Sequence, residues 1–233
     1  MEKFAILVCD DDKDIVRAIK LILEKEEFTV YEAYDGEQAL DVLTSEKIRL
    51  VLIDVMMPKM NGMTAVTKIR EKNNIPVIFL SAKSEASDKI LGLSVGADDY
   101  ITKPFDSGEL IARVRSQLRR YTTLGSAVDM NSGKTLVCGG IVMDTDTMTV
   151  TVNGDPVKLT ATELKIIQLF MENQGVVMSS ERIYDRVWGE APYNCENTVM
   201  VHIRRIREKI EIDPKKPEYL KVVWGVGYKL EKH

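Results

Sequence analysis

Four short apolar runs in the first half of the chain each end on a polar side chain. This pattern constrains the fold more than any other feature. Leu50-Val51-Leu52-Ile53 stops at Asp54, and Phe4 to Val8 stops at Asp10-Asp11. Pro76 to Leu80 stops at Ser81, and Asp99 to Thr102 stops at Lys103-Pro104. Such β-branched runs read as buried strands. Between them Ile15, Ile19, Ile22 and Leu23 recur at helical spacing, as do Ala39, Leu40 and Leu43, then Val66 and Ile69. Alternating strand and helix calls for a parallel sheet with helices on both faces. Ligands of such a sheet bind beyond the carboxyl ends of its strands. Three acids, one hydroxyl and one amine would therefore converge on one small site.

That set suits one chemistry. Mg²⁺ takes oxygen ligands, keeps several waters and is held by one or two carboxylates plus phosphate. Asp11 and Asp54 would bind it directly and Asp10 through water. Asp54 would accept a phosphoryl group, with Lys103 and the Ser81 hydroxyl holding the transferred oxygens. Positioning and electrostatics would supply the catalysis.

The segments V-C-D-D-D, L-I-D-V-M-M-P-K-M-N-G, F-L-S-A and G-A-D-D-Y-I-T-K-P-F carry a wider likeness. Over residues 1–121 the chain resembles the receiver domain of two-component response regulators. The resemblance implies Asp54 as phosphoacceptor, Asp10 and Asp11 as the acidic pair, and the Met56 carbonyl as a backbone metal ligand. It makes Ser81 the switch hydroxyl, Tyr100 the switch aromatic and Lys103 the phosphate-binding lysine. Cys9 departs from the aliphatic residue expected there and reads as a small buried side chain.

At 233 residues the chain has room for two domains. No apolar run is long enough to span a bilayer. The N-terminus enters a strand at Phe4 with no leader pattern. Cys9, Cys138 and Cys195 form neither a disulfide framework nor a zinc motif, which suits a reducing cytosol. Net charge is −4, yet residues 197–233 hold nine Lys/Arg against five Asp/Glu. That local excess fits a DNA-binding face.

Residues 122–134 are mostly polar with two glycines and read as a flexible linker reaching about 20 Å. The last helix before it opens on a capping box, Asp106 with Glu109. Beyond the linker, Ile141 to Met143, Met148 to Val152 and Val157 to Leu159 read as strands. Asn153-Gly154 between the last two is a strong hairpin signal. Thr160 and Glu163 form a second capping box. The helix they start carries Leu164, Ile167 and Met171 inward. A further helix follows Ser179, and a third runs from Asn197 to Ile210. Two short strands around Trp224 to Tyr228 close the chain. The architecture expected is a doubly wound five-stranded α/β domain followed by an α+β winged helix-turn-helix at 135–233.

On the third helix Val199, Ile203, Ile206 and Ile210 form a buried stripe. Asn197, Val201, Arg204, Arg205 and Glu208 lie opposite, flanked by Met200 and Arg207 on one side and Thr198 and His202 on the other. Arginines on an exposed helix face suit the major groove, where Arg pairs bidentately with guanine. L-T-A-T-E-L, V-W-G, T-V-M-V-H-I-R-R-I-R-E-K-I and G-V-G-Y-K make residues 135–233 resemble the effector domain of the OmpR/PhoB family. The resemblance implies promoter DNA as partner, read by the third helix. His202 would hold backbone or phosphate, and Lys221 and Lys229 would contact phosphates. It also implies an arginine at the hairpin tip for the minor groove. Trp224 stands there instead. The loop from Gly189 to Glu196 corresponds to the RNA polymerase contact.

The resemblance further implies a sensor histidine kinase as phosphodonor and a cytoplasmic location. It implies a homodimer formed on phosphorylation through Lys89, Asp98, Asp99, Glu109, Arg113 and Arg120. The C-terminal K-V-V-W-G-V-G-Y-K is similar to regulators of the vancomycin-resistance type. Two other readings stay open. An aspartyl-phosphate hydrolase shares a strand-end Asp, though Met56 stands where its general acid belongs. A phosphorylation-independent regulator with a vestigial receiver is the other.

Overall fold

The computed structural model describes residues 4–82, 96–126, 135–189 and 195–233, and side chains over the same ranges except 120–126. The chain divides into two compact units, Met1–Arg119 and Arg120–His233.

The first unit is a five-stranded parallel sheet in the order β2-β1-β3-β4-β5. Its strands are β1 (Ala5–Cys9), β2 (Thr29–Ala33), β3 (Leu50–Asp54), β4 (Val77–Ala82) and β5 (Asp99–Lys103). The described helices are α1 (Lys13–Lys25), α2 (Gly36–Ser45), α3 (Gly62–Lys72) and α4 (Ser107–Ser126). Alternation along each strand sorts the core. Ile6, Val8, Leu50, Leu52, Ile78, Leu80 and Ile101 pack on Val16, Ile19 and Leu23 of α1 and Leu110, Val114 and Leu118 of α4. Leu7, Cys9, Val51 and Ile53 are equally buried and point to the opposite face. Strand order reverses between β1 and β3, which places the crevice at the ends of those two strands.

The segment expected as a linker, 122–134, is described only in its first five residues, which are helical. α4 continues as helix through Ser126, and residues 127–134 lie outside the described residues. At the start of α4, Asp106 caps the amides of Gly108 and Glu109. The Glu109 carboxylate turns to Arg113 at 3.0 Å, a charge-assisted bond available one turn along.

The second unit opens with an antiparallel sheet of β6 (Thr135–Cys138), β7 (Ile141–Asp144), β8 (Thr149–Val152) and β9 (Asp155–Val157). Asn153 and Gly154 turn the β8–β9 hairpin at φ 52° and 92°, left-handed values that Asn and Gly tolerate best. Helices α5 (Ala161–Glu172), α6 (Ser180–Trp188) and α7 (Glu196–Ile210) follow, and the hairpin β10 (Leu220–Val223) with β11 (Gly227–Leu230) closes the unit. The Thr160–Glu163 capping box is complete. Ile166, Ile167 and Phe170 of α5, Ile183 and Trp188 of α6, and Val199, Ile203, Ile206 and Ile210 of α7 share one core with the strands. Among the described residues no helix is long and apolar enough to cross a membrane.

Candidate functional site

At the carboxyl end of the parallel sheet, register brings the predicted groups together. Cys9 pairs with Ile53, so Asp10 follows β1 beside Asp54 at the end of β3. Ala82 pairs with Lys103, which brings the amine to the same edge. The Lys103 ammonium donates to Asp10 Oδ2 at 2.5 Å and to Asp54 Oδ1 at 2.7 Å. The second Asp54 oxygen accepts the Met56 amide at 2.8 Å, while Asp10 Oδ1 accepts the Asp12 amide at 3.0 Å. Asp12 in turn caps α1. Asp11 is exposed, as is the Met56 side chain. The Ser81 hydroxyl donates to the Ala82 carbonyl at 3.0 Å, and Tyr100 is half-buried.

Local chemistry fixes this end of β3. Asn61 caps α3 through the Thr64 amide. A Cβ on Gly62 would lie 2.0 Å from the Asp54 carbonyl oxygen, so only glycine lets α3 begin there.

Burial raises the Asp54 carboxyl above its ordinary value even though Lys103 opposes the shift. For Lys103 burial pulls down, but the bonds to Asp10 and Asp54 prevail and hold it up. Buried Cys9 is pushed up strongly, by desolvation first and then by the acids around it. Its thiol donates to the Asp35 carbonyl oxygen, so it packs as an inert small side chain.

The three acids do not form a preassembled cluster. Among the described residues no group of three or more His, Cys, Asp or Glu is arranged to hold a metal. Lys103 occupies the space between Asp10 and Asp54, and Asp11 faces solvent. The donors are nonetheless all hard oxygens and few, which fits an ion that retains several waters.

Of the charged residues expected at the dimer face, those described, Asp98, Asp99, Glu109 and Arg113, are paired within the chain. Asp99, 1% exposed, receives Arg113 on both oxygens at 3.0 Å. Asp98 is buried, bonded to Arg70 at 2.7 Å and to the Val77 amide at 3.0 Å. Both carboxylates lie at the amino end of β5, where only a partner makes burial tolerable. Lys89 and the Arg120 side chain lie outside the described residues.

On α7 the structure corrects the expected exposed face. Thr198, Val201, His202 and Arg205 are buried. Thr198, His202 and Arg205 form a second stripe at helical spacing. His202 packs on the Trp188 ring, centroids 5.4 Å apart. Arg205 reaches Glu163 at 3.0 Å and Lys209 reaches it at 2.6 Å. Burial opposes ionisation of Glu163, but Arg205 and Lys209 prevail and hold its carboxyl below the ordinary value. A wholly buried carboxylate needs such partners, and this draws Arg205 inward. Arg207 is likewise structural, donating from Nε to the Leu220 carbonyl at 2.7 Å. Arg204 remains exposed, bonded to Glu208 at 3.0 Å, with Met200 exposed and Asn197 half-buried beside it. Lys221 and Lys229 both lie on Glu231, at 3.5 Å and 3.0 Å. Residues 190–194 of the expected polymerase-contact loop are outside the described residues.

Two residues escape a reading of the sequence. Glu163 shows there only as a cap. Glu211 accepts the amides of Glu218, Tyr219 and Leu220 and so anchors the hairpin. The Thr198, His202, Arg205, Lys209 spacing is the available signal for the first.

Residues 6–115 match the family described as response regulator receiver domain, and residues 154–230 match transcriptional regulatory protein, C terminal. Regulatory protein VanR of Enterococcus faecium is 42% identical over 97% of this chain and 98% of its own length. Transcriptional regulatory protein YvrH of Bacillus subtilis is 43% identical over 98% of this chain and 96% of its own. Among solved structures, the response regulator DrrB of Thermotoga maritima, an OmpR/PhoB homologue, is 31% identical with a TM-score of 0.50, covering 99% of this chain and 100% of that one. A point mutant of RitR, at 22% identity and a TM-score of 0.76 over 99% of this chain and 100% of that one, shares the fold. A strand-end acid site followed by a transcriptional regulatory domain, with relatives matching along nearly the whole length, makes this chain a member of the OmpR/PhoB family of two-component, DNA-binding response regulators, similar to VanR.

Proposed function

We propose that Asp54 accepts a phosphoryl group from a sensor histidine kinase and that this controls promoter binding by the second unit. The observation that carries the reading is the Lys103 ammonium shared between Asp10 and Asp54. An Asp54 oxygen attacks phosphorus, the bond to the donor nitrogen breaks, and charge builds on the phosphoryl oxygens. Lys103 is already within one hydrogen bond of that charge, and the Ser81 hydroxyl reaches it by leaving the Ala82 carbonyl. Asp10, Asp11 and Asp54 with the Met56 carbonyl would hold Mg²⁺, which neutralises the approaching anion when bound. The phosphoryl group carries roughly −1.5 to −2 charge in place of the single charge of the carboxylate, and its oxygens draw Lys103 and Ser81 to new partners. Tyr100, on the same strand as Lys103, then turns inward.

In this reading phosphorylation favours a homodimer through the face of Glu109, Arg113 and Arg120. The Asp99–Arg113 bond would be exchanged for one between copies. Two linked domains then engage two half-sites with raised effective concentration. Arg204, Met200 and Asn197 present the base-reading face of α7. Contact with RNA polymerase falls to the loop after Gly189.

Incubation with a small phosphodonor and Mg²⁺ tests the chemistry. Wild type should incorporate one phosphoryl group per chain and Asp54→Ala none. Normal labelling of Asp54→Ala would sink the assignment.

A further inference from the structure

The loop between β3 and α3 is held from outside as well as from within. Inside it, the Met56 amide donates to Asp54 Oδ2, and the Gly62 amide donates to the Val55 carbonyl at 3.0 Å. From outside, the start of α2 grips its far half. The Lys59 ammonium reaches Asp35 Oδ2 at 2.7 Å. The Gly36 amide donates to the Met60 carbonyl at 3.1 Å, and a Cβ on Gly36 would lie 2.8 Å from that oxygen. The Met57 sulfur lies 3.4 Å from that of Cys9.

Two features set Lys59 apart. Its φ is 60°, a left-handed value that a residue with a Cβ adopts at a cost. Glycine would suit this turn better, so the backbone gives no reason for a lysine. The side chain does. It is 61% exposed, yet its tip meets a carboxylate that is 3% exposed. Asp35 caps α2 and accepts from the backbone amide and the side chain of Gln38, both at 2.9 Å. Asparagine would cap the helix as well, so the cap does not call for a charge. Lys59 does. Strained backbone held by one specific contact beside a reactive group is commonly part of that group's mechanism. We propose that Asp35 and Lys59 form a positioning clamp for the Asp54 site. The pair touches neither Asp54 nor the phosphoryl group. It fixes the loop whose Met56 offers two groups to the site, the amide that orients Asp54 and the carbonyl that would join the Mg²⁺ ligands. The inference rests on the phosphoacceptor reading of Asp54 and extends it to the β2–α2 connection. With the clamp open, the loop keeps the Met60–Gly36 bond but loses its ionic tie, and the Met56 carbonyl turns away from the metal position more often. Mg²⁺ demands near-octahedral geometry, so its affinity falls before the fold does.

Calorimetric titration of the full chain with Mg²⁺, without phosphodonor, tests the clamp. Wild type should bind the ion, and Asp54→Ala should bind it far more weakly. Asp35→Asn and Lys59→Met should each weaken binding by about tenfold, the usual effect of losing an outer partner of a metal site. The double variant should be no weaker than either single one, because both break the same contact. A charge effect alone would act differently. Asp35→Asn removes a negative charge near the cation and Lys59→Met a positive one, so the two would shift affinity in opposite directions. Lys59→Arg should restore most of the binding. In labelling with a small phosphodonor, the Mg²⁺ concentration for half-maximal rate should rise by the same factor, with the rate at saturating Mg²⁺ near wild type. Thermal melting confirms that each variant folds, and the exposed Lys59→Met position carries the test if Asp35→Asn melts early. Unchanged or tighter Mg²⁺ binding by Lys59→Met would overturn the clamp and leave the phosphoacceptor reading standing. Absence of Mg²⁺ binding by wild type, or normal labelling of Asp54→Ala, would overturn that reading and the clamp with it.

Discussion

The Asp54 site and the Glu163 cluster are built from the same parts to opposite ends. Each sets a buried carboxylate against two charged neighbours. At the strand ends one ammonium is divided between two acids, its side chain 19% exposed. In the second unit one acid is divided between two cations, and its own side chain is fully buried. Burial first, and the neighbouring Asp10 only to a lesser degree, leave Asp54 protonating more readily than an ordinary carboxyl, against the pull of Lys103. Excess cation around an enclosed acid leaves Glu163 protonating less readily. In the proposed function the first arrangement receives a cation and a phosphoryl group. The second is complete and holds α5 to α7. Under the proposed function, reactivity would come from the unbalanced, open cluster, and rigidity from the compensated, closed one.

The largest test of this contrast is Glu163→Ala. It leaves Arg205 buried without its carboxylate and should cost ~3–5 kcal/mol of stability in the second unit. Urea unfolding of the full chain, followed by Trp188 emission, measures it. A change below about 1 kcal/mol, as for a surface pair, would mean the cluster is not sealed.

Lys103→Ala should leave the fold intact and slow phosphoryl transfer from a small donor by on the order of 10²-fold, the usual effect of removing one charge-stabilising donor. Single-turnover labelling reads the rate. Equal loss of folding and labelling would erase the distinction between the two sites.

Arg204→Ala should weaken specific DNA binding by ~1–3 kcal/mol if the lost contact is a bidentate base pair. Its unfolding midpoint should stay near wild type. Arg205→Ala should instead lower the Trp188 unfolding midpoint, because Glu163 would lose its nearest guanidinium. Titration of DNA and urea on the same two variants separates the roles. Reversed outcomes would return Arg205 to the groove.

The smallest effect is on pH. Glu163 is depressed below 4.5, so its contribution is present above that value and is lost as pH falls through the folded value. Asp54 is raised above 3.8, so its contribution is full below that value and is lost as pH rises through the raised one. Acidification below about pH 4.5 should therefore weaken the second unit, and Glu163→Gln should flatten that dependence. Asp54→Asn should not lower the stability of the first unit at neutral pH. Trp188 emission reads the former, and hydrogen exchange in β1 and β3 reads the latter.

Most of the strand-end site is legible in the sequence because its signal is local. Each acid closes an apolar run, and a parallel sheet carries every run to the same edge. The Thr160 cap and the Asn153-Gly154 turn are legible for the same reason. Arg205 is misplaced by a helical wheel because a single apolar stripe assigns every polar residue to solvent. α7 is covered on two sides, and the second side is lined by Thr198, His202 and Arg205. Asp99 and Arg113 meet within the chain at 3.0 Å, a pairing across 14 residues that no local pattern announces.

By itself, then, the sequence determined the elements, their order and the chemical type of each end, since periodicity, caps and turns act over a few residues. Tertiary structure alone decided which charges meet. Glu163 and Arg205 are 42 residues apart, and Lys103 and Asp10 are 93 apart. A buried charge takes whichever partner the packed elements bring within reach. That choice is fixed by desolvation and geometry, and neither is written in any local stretch of residues.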